Sequence, residues 1–431
     1  LNGSILLHHD HAMLRPDPSR TIARPFLPGW PGDHPSEPAR SEVIIDRILT
    51  LDDAAVDEQL EAIKLSLDER HRDIDEMLLR RFDEVSGLCP DPEGLDERRR
   101  RLIGGYFTEE YAFEAAALFN PSVVLHPDQD GVAEGSLRFI MSLRGIGEGH
   151  VSSVSYRTGT WTPGGGLTVD PVGKITQAPT VTNSHDDGSG RVCVKLHYTG
   201  CESVSETVLS PVMPSQRQGI EDVRLVRFTD DDGTVTYYGT YTAFSGGATQ
   251  SELLVGTGFH SFEMHTMSGD AVKAKGMALF PRKIDGKYVM LGRQDNENIW
   301  LLTSDDILTW NGGTKLLGPR YAWEFVQVGN CGSPIEIDEG WLVFTHGVGT
   351  VRNYSIGACL LDRDDPSRVI ARTRKPILEP SPDERDGYVP NVVYSCGAMA
   401  HGRDLLLPFG VADSFTAFAT AKIDDLLAAM E

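Results

Sequence analysis

The spacing of apolar positions changes twice along the chain. Through the first 40 residues it shows no sustained period, and Pro and Arg punctuate "RPDPSR" and "RPFLPGWPGDHP", so this stretch reads as an arm packing against something larger. From Ser41 the text "SEVIIDRILTLDDAAVDEQLEAIKLSLDERHRDIDEMLLRRFDEV" carries apolar residues at helical spacing without proline, which predicts two or more helices over about 42–87. Thr50 and Asp53 stand like a capping box at one helix start. Two more helices are expected over "LDERRRRLIGGYF" and "TEEYAFEAAALF", the second stopping at Asn120-Pro121. The run Arg98 to Arg101 fits a solvated helix face.

After Pro121 the pattern shortens to strands. "RLVRFTDDDGTVTYYGTYTAF", "ALFPRKIDGKYVMLGRQ" and "SPIEIDEGWLVFTHG" each place an acidic turn between two apolar runs, with glycine supplying the positive φ of a tight hairpin at Asp232-Gly233, Asp285-Gly286 and Glu339-Gly340. The turns recur at about 53 residues, the length of a four-stranded propeller blade. "DQDGVAEGSLRFIMSLR" near 131 and "DDGSGRVCVKLHYTG" near 188 look like earlier members, and "HGRDLLLPFG" near 402 continues the series loosely. The expectation is a mainly β chain: a five-bladed β-propeller over 119–431 behind an N-terminal arm and α-helical extension over 1–118. A pair of β-sandwiches is the alternative, and it leaves the spacing unexplained.

Composition narrows the function. The 431 residues are 40 % apolar and 24 % charged, as in an ordinary globular protein, and the formal charge of -23 disfavours nucleic acid and anionic membrane surfaces. No stretch approaches the roughly 18–20 apolar residues of a membrane span, and the N-terminus lacks the order of a secretory signal, so a cytoplasmic enzyme is expected. The six cysteines are scattered without metal-like spacing. "HHDH" at residues 8–11 is a weak metal candidate, since adjacent side chains of an extended segment rarely converge, and no functional metal is expected.

The chemistry starts from "GIEDVRLVRF". Strict alternation would put Asp222 and Arg224 on one face of a strand, with Val223 and Leu225 on the other. The plain reading is a solvated edge with a weak surface ion pair. In a propeller, however, inner strands of all blades meet at one axis, so Asp222 has to be judged with its counterparts: Asn120, Arg144, His150, Arg224, Lys275, Arg282, Arg293, Asp295, His346, Tyr354 and Asp413. Against an acidic background this set is rich in cations, which suits an anionic ligand such as phosphate or a sugar phosphate, although each taken singly reads equally well as an ordinary strand-end charge.

The segments "FNPSVV", "GIEDVR", "KGMALFPRKIDGKYVMLGR", "WLVFTHGVG…YSIGACLLDRDDPSRVIARTRKPIL" and "GYVPNVVYSCG…FGVAD" resemble, in order, the motifs of glycoside hydrolase family 130, the β-mannoside phosphorylases and β-mannosidases. The resemblance runs from about 119 to the last residue and implies a five-bladed propeller. It also implies that Asp222 is the general acid, protonating the glycosidic oxygen by relay through a mannose hydroxyl, while inorganic phosphate attacks from the opposite face to give α-mannose 1-phosphate with inversion. By the same resemblance Lys275, Arg293 and His346 would hold phosphate; Arg282, outside the family's familiar motif, is a supplementary cation that could compensate for a missing one. Asn120, Arg144, Arg224, Tyr354 and Asp413 would contact the sugar.

Two departures stand out. The family's Pro after Glu-Asp is Val223, and "TYTAFSGGAT" lacks the arginine that phosphorylases usually carry there. Inverting hydrolysis is therefore the alternative activity, and a non-catalytic glycan-binding propeller is the third reading. No cofactor is implied beyond phosphate as co-substrate. The amphipathic helices need an apolar surface to cover, on the propeller or on a second copy, which makes a homo-oligomer a further expectation.

Overall fold

Two units divide the chain, one helical (19–112 with 173–178) and one of antiparallel strands (the rest). The computed structural model describes residues 7–30, 38–184, 190–256, 258–382 and 385–431.

In the helical unit, α1 (Arg40–Leu49), α2 (Asp53–Leu67), α3 (Ile74–Val85) and α4 (Glu97–Tyr106) bury Ile45, Ile48, Val56, Phe82, Leu102, Ile103 and Phe107 together. The cap of α2 is Asp52, whose carboxylate accepts from the Ala55 N–H at 2.8 Å; Thr50 instead ends α1. At Gly104 an added Cβ would lie 1.9 Å from the Leu78 carbonyl oxygen, so only glycine lets α3 and α4 approach this closely. The arginine run lies on a partly exposed face, with Arg98 on Asp57, Arg99 on Asp53 and Asp96, and Arg101 on Glu97.

No helix forms over "TEEYAFEAAALF". Thr108–Tyr111 pairs instead as a strand with Ile22–Pro25, Glu109 taking Arg24 and Glu110 taking Arg70 and His71. Further on, within the strand unit, Glu114 is fully buried and accepts from Arg157 at 2.7 Å. These long-range partners override a helical propensity worth only tenths of a kcal/mol per residue.

The strand unit is a five-bladed propeller. Its innermost strands begin at Ala117, Gly219, Ala278, Gln327 and Val393, and in the last two blades that strand is interrupted and resumes at Ile335 and Met399. Neighbouring blades share separate apolar layers, such as Val154, Ile220 and Tyr241 between the first two and Phe280, Trp341 and Val343 between the third and fourth.

Two boundaries differ from the sequence expectation. The hairpin near 188 opens no blade: Thr180–Ser184 and Cys193–His197 extend the outer edge of the second blade. The turn near 402, between Met399–His401 and Asp404–Val411, is the true fifth member of the series. The first part of the arm belongs to the propeller, because His8–Leu14 pairs with Phe415–Lys422 as the outer strand of the fifth blade, while the arm from Ser19 on belongs to the helical unit. "HHDH" thus lies in a strand, and the side chains of His9 and His11 lie outside the described residues.

All six cysteines are free thiols. Among the described residues no helix is long and apolar enough to cross a membrane.

Candidate functional site

The leading ends of the inner strands carry the site because the strands break there. Asn120 and Pro121 together oppose one residue of the next strand, as do Asp222 and Val223, and these bulges re-aim the side chains toward the axis. Asn120 (φ 50°), Asp222 (φ 55°), Ala412 (φ 50°) and Asp413 (φ 49°) all adopt the left-handed conformation, which costs a non-glycine residue about 1 kcal/mol or more. The bulge also cancels the expected alternation, and Asp222 and Arg224 form no surface pair. Arg224 is 1 % exposed and donates from Nε to the Cys331 carbonyl (2.8 Å), from Nη1 to the Asp222 carbonyl (3.0 Å) and from Nη2 to the Tyr394 hydroxyl (2.8 Å). One guanidinium so ties the second, fourth and fifth blades together beneath the bulge.

Asp222 Oδ1 accepts from Asn120 Nδ2 at 2.8 Å and from Arg144 Nη1 at 3.3 Å. Glu221, one residue earlier, takes Arg144 Nη2 on one oxygen and Lys275 Nζ on the other, both at 2.8 Å. Arg144 Nε also donates to Ser152 Oγ at 2.9 Å. Two cations from the first and third blades are thereby bracketed on either side of the Asp222 strand.

Arg293 stands apart. Its Nη1 donates to His346 Nε2 at 3.0 Å, its buried Nε has no partner, and among the described residues no carboxylate pairs with it. Two close approaches set its position: a Cβ at Gly276 (φ 83°) would lie 2.4 Å from Nε, and one at Gly329 would lie 2.6 Å from Cδ. His346, fully buried, stacks on Tyr354 (centroids 6.0 Å apart) and leans on Tyr394 (4.8 Å).

The electrostatics separate two carboxyls. Burial pushes Asp222 up, but Arg144, Arg224, the Asn120 hydrogen bond and Lys275 together outweigh it and hold the carboxyl below its ordinary range. Burial and the Asp222 charge push Asp413 up to about 6, against Arg144 and Arg352. Burial, Arg293 and Arg224 drive the His346 pKa well down, so the ring is neutral and Nδ1 carries its proton while Nε2 accepts from Arg293.

The raised Asp413 has a stability consequence. The folded chain holds this proton from an unfolded value near 3.8 up to about 6, so its stabilising contribution is complete below the lower value and is lost as pH rises through the upper one. Asp413→Asn is expected to raise the propeller's melting temperature by a few degrees at pH 8 and to leave it unchanged near pH 4. Calorimetric scans at the two pH values check this.

The cluster thus contains Asn120, Arg144, Asp222, Arg224, Lys275 and, through shared neighbours, Arg293, His346, Tyr354 and Asp413. Two phosphate assignments change. His346 is fully buried and its Nε2 accepts from Arg293, while burial and the neighbouring guanidiniums disfavour its charged form, so its contact is with Arg293 and it offers no positive charge of its own. Arg282 lies elsewhere: its fork is held by Glu336 (2.9 and 2.8 Å), and it lines a cavity of about 440 Å³ with Leu125, Thr229, Pro334 and Ala400, farther along the inner strands than Asn120 and Asp222. Asp295 caps its own turn, accepting from the Glu297 and Asn298 N–H groups. His150 is exposed on the loop before Ser152. Sequence reasoning missed Glu221, Ser152 and Tyr394. The adjacency of Glu221 to Asp222 was the one available signal, because a bulge lets successive side chains serve one site.

A propeller whose axis gathers carboxyls and cations at one end has the make-up of a carbohydrate-active enzyme. The chain belongs to glycoside hydrolase family 130: the family described as beta-1,4-mannooligosaccharide phosphorylase matches residues 187–431. It is 36 % identical over 229 residues to the 1,2-beta-oligomannan phosphorylase of Thermoanaerobacter sp. (strain X514), covering 52 % of this chain and 75 % of that one. It is 35 % identical over 230 residues to the beta-1,2-mannobiose phosphorylase of Listeria innocua, covering 52 % and 63 %. The solved structure of a Listeria innocua beta-1,2-mannobiose phosphorylase in complex with beta-1,2-mannobiose superposes with a TM-score of 0.50 at 26 % identity, over 73 % of this chain and 92 % of that chain.

Proposed function

We propose that this site cleaves β-mannosides by inverting phosphorolysis, transferring the mannosyl unit to inorganic phosphate and releasing α-mannose 1-phosphate. The observation that carries the reading is Arg293, a guanidinium positioned by a neutral histidine and, among the described residues, facing no carboxylate, in the same cluster as a buried carboxyl. Asp222 gives its proton to the glycosidic oxygen, directly or through a mannose hydroxyl, as the C1–O bond breaks. A phosphate oxygen held by Arg293 and Lys275 forms the new bond to C1 from the opposite face, and Asp222 regains a proton from solvent. Asn120, Arg144, Tyr354 and Asp413 hold the mannosyl unit, while Arg224 and His346 hold the site together from below.

The relatives named for β-1,2-linked mannosides make that linkage the first to try, with β-1,4-mannobiose as the comparison. Mannobioses of each linkage are incubated with and without phosphate and assayed for mannose 1-phosphate. Phosphate-dependent product supports the reading; turnover indifferent to phosphate replaces it with hydrolysis. A cytoplasmic setting, which the six free thiols suit, and self-association through the helical unit belong to the same proposal. A monomeric mass in solution scattering would remove the second.

A further inference from the structure

Two loops next to the charged cluster meet through side chains that the proposed chemistry does not use. His150 sits between the second and third strands of the first blade, two residues before the Ser152 hydroxyl that accepts from Arg144. Tyr388 precedes the inner strand of the fifth blade, and its segment is stitched to the turn bearing Asp413: the Tyr388 N–H donates to Ser414 Oγ at 2.9 Å and the Val389 N–H to the Ala412 carbonyl at 3.0 Å. The Tyr388 hydroxyl and His150 Nδ1 lie 3.3 Å apart, with ring centroids 5.4 Å apart and planes at 35°.

This contact is built at a cost. His150 (φ 57°) and Gly149 (φ 69°) both adopt the left-handed conformation, and the Gly149 carbonyl accepts from Gln218 Nε2 at 2.9 Å, tying the loop to the start of the Asp222 strand. Yet the pair covers no core. His150 is exposed and Tyr388 keeps 60 % of its surface open. An exposed aromatic pair beside a polar site has the chemistry of a sugar-binding platform: ring faces for the C–H side of a pyranose, and an imidazole for its hydroxyls.

We infer that His150 and Tyr388 form the subsite for the leaving sugar, a pyranose or short β-linked oligosaccharide that departs in the forward reaction and acts as acceptor in the reverse. The inference rests on the proposed phosphorolysis, and its test separates the two. In the synthetic direction, with α-mannose 1-phosphate as donor, Tyr388→Ala is expected to raise the KM for mannose or mannobiose as acceptor roughly tenfold. The KM for the donor should change by less than about twofold, because a stacking face acts on the sugar it covers and not on the phosphate end. Tyr388→Phe, which keeps the ring and loses the bond to His150, should recover most of the acceptor KM.

An unchanged acceptor KM in Tyr388→Ala overturns the inference. So does an equal rise in both constants, or a Phe variant as poor as Ala, since either outcome marks a structural latch. If the wild type makes no mannose 1-phosphate, phosphorolysis falls, and titration calorimetry with β-1,2-mannobiose decides the platform by itself. Weaker binding to Tyr388→Ala than to wild type supports it; equal binding, or none to wild type, overturns it.

Discussion

Asp222→Asn is expected to lower mannose 1-phosphate formation from an unactivated mannobiose by about 10³-fold, the range of a lost general acid. The substitution is nearly isosteric, and a carboxamide oxygen at 222 still accepts from Asn120 Nδ2, so the bulge should survive and the loss should lie in kcat. An aryl β-mannoside with a good leaving group needs less protonation, so its kcat is expected to fall far less. Equal losses on both substrates would mean that Asp222 only holds the site's shape.

The lowered pKa of Asp222 adds a pH signature. Without an anion bound, Arg144, Arg224 and Lys275 keep the carboxyl ionised, which is the wrong state for an acid. Phosphate placed on Lys275 and Arg293 offsets those charges and lifts the pKa in the complex. The alkaline limb of kcat should therefore lie at higher pH than that of kcat/KM for the mannoside at sub-saturating phosphate, since the first reports the complex and the second the free protein. Coincident limbs would count against a role for phosphate in arming the acid.

Much of the propeller was legible because its signal is local. An acidic turn ending in glycine between two apolar runs is written within 20 or so residues, and its recurrence at 232, 285 and 339 marks three blade hairpins correctly. Errors arose where the deciding partner is distant. The hairpin at 188 has the same local text, but it finds the outer strand Ser261–Thr266 and becomes an extension of an existing blade. The strand at 8–14 reads as an arm until its partner some 400 residues away is known.

The same distinction sorts the site residues. Asp222, Lys275 and Arg293, to which the proposed chemistry falls, could be chosen by side-chain type. Glu221 matters because it spans Arg144 and Lys275 from other blades, which no single motif displays. Arg282 illustrates the converse: it is seven residues on from Lys275, but the strand Ala278–Leu279 lies between them and carries Arg282 away to Glu336. The left-handed backbone at Asn120 and Asp222 is equally silent in sequence, since neither is glycine, and it is what makes an acid and its hydrogen-bond partner converge.

Arg293→Met is expected to raise the KM for phosphate by roughly 10- to 100-fold, the loss of one charge-assisted contact, with the mannoside KM nearly unchanged. The prediction has two internal controls. Gly276→Ala leaves the charge intact but places a methyl 2.4 Å from Arg293 Nε at a backbone φ of 83°, so the guanidinium must leave its position and the phosphate KM should rise in the same direction. Arg282→Met removes an equal charge from the far stretch of the channel and should leave that KM within about twofold, because its partner Glu336 bears the change. Steady-state rates at varied phosphate with saturating mannobiose measure all three. A phosphate KM insensitive to Arg293 and Gly276 but sensitive to Arg282 would move the anion to the other end of the axis, and with it the direction from which C1 is attacked.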